Sequence, residues 1–140
     1  LAAYYAEGHR RARALITEVG IPAAGADTAA AFLKFTRTSF DFALLNCATR
    51  VRLADDKVAE CRITVGETPA LATAVDAAAH HLLDGTLDDD RLDRAAAIAA
   101  EGIPAQDDQR ASADYRRALC RVGVRRCLEE VRHRFAERHP

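Results

Sequence analysis

Two alternating runs flank a pair of aspartates between residues 45 and 66, and no other feature of the chain constrains its fold as tightly. In the first run Leu45, Cys47, Thr49, Val51 and Leu53 fall on one side, with Asn46, Arg50 and Arg52 on the other. In the second, Ala59, Cys61, Ile63 and Val65 oppose Glu60, Arg62 and Thr64. Side chains of a strand point alternately to its two faces, so each run reads as a half-buried strand and Asp55-Asp56 as the turn of an antiparallel hairpin. Such a hairpin has one apolar face and one wet face. It needs a cover on one side only, and helices are the natural cover.

Helical patterns follow directly. Thr68 with Pro69 announces a first helix that ends near Gly85, with Leu71, Val75, Ala78 and Leu82 spaced to face the sheet. Asp76, His80 and Asp84 are left along its outer stripe; two ligands at i and i+4 make no metal site, so the stripe reads as a solvated face. Residues 88–102 start with three acids that suit the positive end of a helix dipole and finish at Gly102. Ser112 caps a long third helix with two apolar stripes. Tyr115, Ala118, Leu119 and Val122 form the first; Val124, Cys127, Leu128, Val131 and Phe135 form the second on nearly the opposite side, with Gly123 between them. Such a helix serves two surfaces, its own domain and a neighbour, or bends at the glycine.

Ahead of the hairpin, residues 15–22 read as a strand closed by Pro22, and 23–30 as a small-residue connector. Residues 32–37 read as a short strand with Phe32, Lys34 and Thr36 on one face. A β-rich first half and a helical second half make the class α+β. The expected architecture is an antiparallel sheet of three to four strands covered on one face by about three helices.

The 140 residues suit one domain, and no apolar run reaches the ~18 residues of a membrane span. A net charge of -1 argues against a polyanion as partner. The last helix is rich in arginine, yet Asp114, Glu129, Glu130 and Glu137 dilute it and no stacking aromatics interleave, so nucleic-acid binding is not expected. Cys47, Cys61, Cys120 and Cys127 contain no C-x-x-C pair, which points to reduced structural thiols in a cytoplasmic protein rather than a metal centre. The opening residues lack the apolar core of a secretion signal. With no methionine, the chain reads as a piece of a longer polypeptide. It carries no nucleophile elbow, zinc-protease helix, phosphate loop or dinucleotide fingerprint, so no catalytic residue and no metal ligand is expected in it.

Four segments in order nevertheless resemble one family. They are LITEVGIP at 15–22, the K-x-x-R-x-x-x-D-F-A run of Lys34, Arg37, Asp41, Phe42 and Ala43, RITVGETP at 62–69, and IPAQDDQRASADYRRAL at 103–119. The last contains a D-x-R-x-S-x-x-Y-R-R run at Asp108, Arg110, Ser112, Tyr115, Arg116 and Arg117. Together they are similar to the C-terminal domain of the FAD-binding (medium) subunits of molybdenum hydroxylases, of the carbon monoxide dehydrogenase type and equivalent to the middle region of xanthine dehydrogenase. The resemblance extends from about residue 15 to about residue 131. It departs from the family at Ala14, where many relatives have an acid, and at Pro69-Ala70-Leu71, where the family has P-x-R.

The resemblance implies that residues 1–14 are the tail of a preceding FAD-binding domain and that 15–140 form the flavoprotein C-terminal domain. It implies an electron-transfer role: electrons from a molybdenum centre pass through two 2Fe-2S clusters to FAD, and from there to an acceptor. FAD would be held mostly by the preceding domain, with molybdopterin and the clusters in two partner subunits, the molybdopterin subunit and the iron-sulfur subunit. Leu15 and Ile16 would supply apolar contacts to the flavin, and Lys34 would lie near its polar edge. A lysine there favours the negatively charged reduced ring and raises its potential; a lysine snorkelling from a strand face is the alternative reading. Arg37 and Asp41 are expected to pair with each other, Tyr115 to sit in the core, and Arg116 and Arg117 to be structural or to bridge to a partner subunit. The competing class is a stand-alone interaction or regulatory module that kept the fold and lost the cofactor.

Overall fold

The computed structural model describes residues 17–21, 23–66, 68 and 71–138. Four strands form one sheet among them: β1 (Thr28–Phe35), β2 (Leu45–Ala54), β3 (Lys57–Gly66) and β4 (Thr73–Ala74), in the order β1-β2-β3-β4 with every neighbouring pair antiparallel. Three helices follow: α1 (Asp76–Leu82), α2 (Asp89–Gly102) and α3 (Ala113–Arg138). The α+β class and its antiparallel sheet are as expected.

The β2–β3 hairpin forms as its alternation demands. Asp55 and Asp56 have φ of 51° and 60°. Left-handed values at both central positions belong to the tight turn whose twist matches the strands, and the short polar side chain of aspartate tolerates them. Leu45, Cys47 and Val51 are fully buried, as are Val58 and Val65. Strict alternation carried back from Ala59 would put Val58 on the wet face. The register explains the difference, because Arg52 pairs with Glu60 while Leu53 pairs with Val58, leaving Ala59 as the extra residue of a β-bulge. Beyond the bulge the alternation inverts. Val58 turns into the core, and its backbone bonds Gly85 and Asp84 at 2.9 Å each.

Two boundaries differ from expectation at the N-terminal side. Residues 17–21 are exposed and carry no strand, while Leu15, Ile16 and Pro22 lie outside the described residues. Strand β1 begins at Thr28, inside the stretch read as a connector, because Ala29 and Ala31 point inward beneath α3 and small side chains are what that contact accepts. The first helix starts later than Thr68 and Pro69 suggest. Thr73 and Ala74 first pair with β3, so α1 opens at Asp76, and Leu71 is exposed rather than packed on the sheet. The remaining positions behave as expected: Val75, Ala78 and Leu82 are buried, and Asp76, His80 and Asp84 are exposed.

Helix α2 begins as its acids predict, with the Asp88 carboxylate accepting the backbone N–H of Arg91 at 3.0 Å. Its buried face, Leu92, Ala95, Ala96 and Ala99, packs on α1 and α3, so it forms an outer layer behind the two helices that meet the sheet. Arg91 reaches back from α2 to the last turn of α1, where its guanidinium donates to the carbonyls of His81 (2.6 Å) and Leu83 (3.3 Å). Helix α3 lies across β1 and β2. Its second apolar stripe is core, with Val124, Cys127, Leu128, Val131 and Phe135 buried; of the first stripe Tyr115 and Val122 are exposed and Leu119 is half-buried against the core. Gly123 lies in close contact with the sheet. A Cβ there would stand 2.8 Å from both Cys47 Sγ and Phe35 Cε2, so the glycine is a contact point.

Several arginines of α3 bond within the domain. Arg125 reaches Asp89 and Asp93 at 2.9 Å, and Arg132 reaches Asp89 at 2.9 Å, tying α3 to the start of α2. Arg134 donates to the Ala30 carbonyl, and Arg138 to the Thr28 carbonyl at 2.8 Å. These two cover the outer edge of β1, which would otherwise present unpaired backbone groups. Among the described residues no helix is long and apolar enough to cross a membrane.

Candidate functional site

With the helices on one side, the other side of the sheet is uncovered among the described residues, and the strand registers arrange it in four rows. Thr28 aligns with Arg52 and Glu60; Ala30 with Arg50 and Arg62; Phe32 with Ala48, Thr64 and Ala74; Lys34 with Asn46 and Gly66. Lys34 is exposed at the end of this face, with Asn46 as its cross-strand neighbour. A Cβ on Gly66 would lie 2.6 Å from Asn46 Oδ1, so the glycine leaves room for that amide to lie across the end of the row. The result is an ammonium and an amide side by side, next to the exposed ring of Phe32.

The loop after Lys34 turns tightly and projects two aromatic side chains. Asp41 N–H donates to the Thr38 carbonyl at 3.2 Å, and Asp41 Oδ1 accepts from Phe42 N–H at 2.9 Å. Arg37 and Asp41 pair across the turn at 3.4 Å, as expected. Phe40 and Phe42 are both exposed. An arginine and an aspartate interrupt the apolar run because they close the turn on which those rings stand.

That loop is gripped from below by the second motif run. Arg110 donates to the Ala43 carbonyl at 3.1 Å, and Arg116 donates to the Leu44 carbonyl. Both arginines converge on Asp108, Arg110 at 3.2 Å and Arg116 at 2.6 Å. Burial alone would raise the Asp108 pKa, but backbone N–H groups of Arg110 and Ala111 and the Arg116 guanidinium outweigh it and hold the carboxyl well below the usual carboxylate range. Arg116 has no exposed surface, so of its two expected roles the structural one holds. Arg117 pairs with Asp114 within its own helix at 3.0 Å. The two motifs that stand about 70 residues apart in sequence are thus one clamp, which sets the β1–β2 loop at the Lys34 end of the open face.

Ser112 fulfils its expected role, accepting the N–H of Tyr115 at 3.2 Å. Tyr115 itself is 51% exposed, against the expectation of a core tyrosine, because the buried face of α3 begins one residue later at Arg116. Three thiols sit beneath the sheet. A hydrogen bond with Cys120, with burial added, pushes the Cys47 thiol far above its ordinary range, and burial pushes Cys127 up to about 11. Cys61 is pushed up to about 12 by burial. These are protonated packing groups, and all four cysteines are unbridged.

Comparison with known proteins follows this geometry. The CO dehydrogenase flavoprotein C-terminal domain family matches residues 30–131. The chain is 33% identical over 121 residues to the 6-hydroxypseudooxynicotine dehydrogenase complex subunit alpha of Paenarthrobacter nicotinovorans, covering 86% of this chain and 41% of that protein. It is 29% identical over 117 residues to the nicotine 6-hydroxylase medium subunit of the same organism, covering 84% and 41%. Among solved structures, a carbon monoxide dehydrogenase from Hydrogenophaga pseudoflava that lacks the Mo-pyranopterin moiety superposes with a TM-score of 0.76 at 29% identity, over 81% of this chain and 40% of that one. The chain therefore spans about two fifths of the length of the relatives it matches.

Proposed function

The chain belongs to the CO dehydrogenase flavoprotein C-terminal domain family, and from that premise we propose that it is the C-terminal domain of the FAD-binding medium subunit of a multisubunit molybdenum hydroxylase. In this reading it walls the flavin and helps pass electrons from iron-sulfur clusters through FAD to an acceptor. Its partners are the iron-sulfur subunit and the molybdopterin subunit of the same complex. The compartment is the cytoplasm, in keeping with four unbridged cysteines.

The observation that carries the reading is the exposed Lys34 at the end of the open sheet face, next to Asn46 and below the clamped aromatic loop. These side chains fit a flavin. An ammonium and an amide supply donors for the polar edge of the ring, and Phe40 and Phe42 on the loop that follows β1 offer exposed apolar surface. FAD, when bound, supplies the two-electron chemistry that the polypeptide lacks. Lys34 contributes positive potential at the ring edge, favouring the reduced form. Leu15 and Ile16 contribute apolar contact to the ring. The Arg110–Asp108–Arg116 clamp orients the loop, and the loop excludes water from one side of the site.

Two measurements test this. The intact subunit purified from its host should carry a flavin absorption band, and a colourless, fully folded subunit would refute the assignment. Within that subunit, Lys34→Met should lower the flavin midpoint potential while Lys34→Arg retains it. Losing one charge worth about 1 kcal/mol near an exposed site corresponds to roughly 20 mV for a two-electron couple. An unchanged potential in Lys34→Met would remove Lys34 from the site.

A further inference from the structure

The second row of the open face holds a pairing that the isolated domain does not resolve. Arg50 and Arg62 stand directly opposite each other across the β2–β3 register. Like charges at directly opposed positions of an antiparallel pair destabilise it. Glu60, the carboxylate in the strand rows of this face, pairs with Arg52 at 2.8 Å and with Arg50 at 3.3 Å, and Asp27 reaches Arg52 from the edge at 3.9 Å. Arg62 makes no ion pair among the described residues, and its side chain is exposed. Among the described residues the face carries Lys34, Arg50, Arg52 and Arg62 against Glu60 and, at its edge, Asp27, although the whole chain has a net charge of -1.

Shape adds to charge. Ala30 and Ala48 are small, so the surface sinks into a hollow of about 490 Å³ between Phe32, Arg50, Arg62, Thr64 and Arg134. Phe32 is 65% exposed at its rim. A hollow with an aromatic on one side and two juxtaposed guanidinium groups on the other accepts a carboxylate side chain with an apolar neighbour, because each guanidinium offers a planar fork of donors to a carboxylate.

We propose that this hollow is a docking surface for an acidic patch of a partner subunit, with a carboxylate seated between Arg50 and Arg62 and an apolar side chain against Phe32. It rests on the reading that the chain works inside a multisubunit complex. The arrangement is destabilising without the partner and satisfied with it. The charge pair therefore favours the assembled state, and it makes assembly sensitive to salt.

The test uses the intact subunit and its two partner subunits, co-expressed with the tag on a partner. Arg62→Glu should reduce recovery of the complex at least about tenfold at low salt, and the deficit should shrink as salt is raised, because screening weakens both the attraction in the wild type and the repulsion in the variant. The same substitution should leave flavin content unchanged and should not lower the melting temperature of the separated subunit, since it replaces a like-charge pair by an opposite one. Arg62→Gln should weaken assembly less while also sparing stability. Complexes recovered in wild-type yield from both variants would overturn the proposal. So would flavin-replete wild-type subunit that binds single-stranded DNA through Arg62 and ignores the partner subunits. A wild-type subunit devoid of flavin would instead defeat the functional reading, and the flavin measurement on the same preparation tells these failures apart.

Discussion

Gly123→Ala puts the packing of α3 on the sheet to a quantitative test. An alanine is favoured over glycine in a helix interior by about 1 kcal/mol, so propensity alone makes this change stabilising. The added methyl would stand 2.8 Å from Cys47 Sγ and 2.8 Å from Phe35 Cε2, inside contact distance for both. The Phe35 ring is half-buried and has somewhere to move, but Cys47 is fully buried between β2 and the helix. Overpacking a core in this way costs about 1–3 kcal/mol. The close approach outweighs propensity, and the net expectation is a loss of about 1 kcal/mol. Urea unfolding of the chain with a slope of about 2 kcal/mol/M would show this as a midpoint lower by roughly 0.5 M. The decisive measurement is the same substitution in a Cys47→Ala background, where the sulfur is gone and the cost should shrink by about 1 kcal/mol. Equal costs in the two backgrounds, or a Gly123→Ala protein more stable than its parent, would show that the helix does not lie on the sheet at this point.

Two further expectations concern pH. The Asp108 carboxyl is held below its ordinary range, so the stability it contributes is present above the usual carboxylate pKa and is lost as pH falls through its folded value. Stability measured below about pH 4 should therefore fall more steeply in the parent than in Asp108→Asn, and parallel slopes would mean the clamp does not bind the carboxylate. Cys127 and Cys61 are shifted the other way, to about 11 and about 12. A raised folded pKa gives stability that is whole below the unfolded thiol pKa and fades as pH rises towards the folded values, so the chain should lose stability above about pH 9. At pH 8 a thiol reagent should find Cys47, Cys120 and Cys127 silent until urea unfolds the chain; prompt labelling in the native state would contradict their burial.

Much of the architecture was legible because it obeys local rules. The β2–β3 hairpin follows from period two and a pair of turn aspartates, and α2 from its acidic first turn. The resemblance extended the reading to the cofactor class and to Lys34, whose place at the end of a strand face was visible from alternation alone. What failed were the places where one residue serves a distant one. Val58 looks solvent-facing until the bulge at Ala59 inverts the strand, and the pull that stabilises the bulge comes from Asp84 and Gly85 on the α1–α2 connection. Leu71 and Thr68 look like a helix start until two residues, Thr73 and Ala74, are claimed by the edge of β3.

The motif runs show the same division. The family resemblance singled out Asp108, Arg110 and Arg116, and separately Arg37, Asp41 and Ala43. It could not join them, because the bonds that do so end on the carbonyls of Ala43 and Leu44, and every residue has a carbonyl. Nor could it choose between the two stripes of α3. Both are apolar at helical spacing, and only the close approach at Gly123 decides which one faces the sheet. Periodicity and turn chemistry are properties of neighbours along the chain, so the sequence determined the β2–β3 hairpin with its one apolar face and the bodies of the three helices. Burial of Arg116, the bulge at Val58 and the meeting of Arg50 with Arg62 depend on register and packing across the fold, and those the tertiary structure decided.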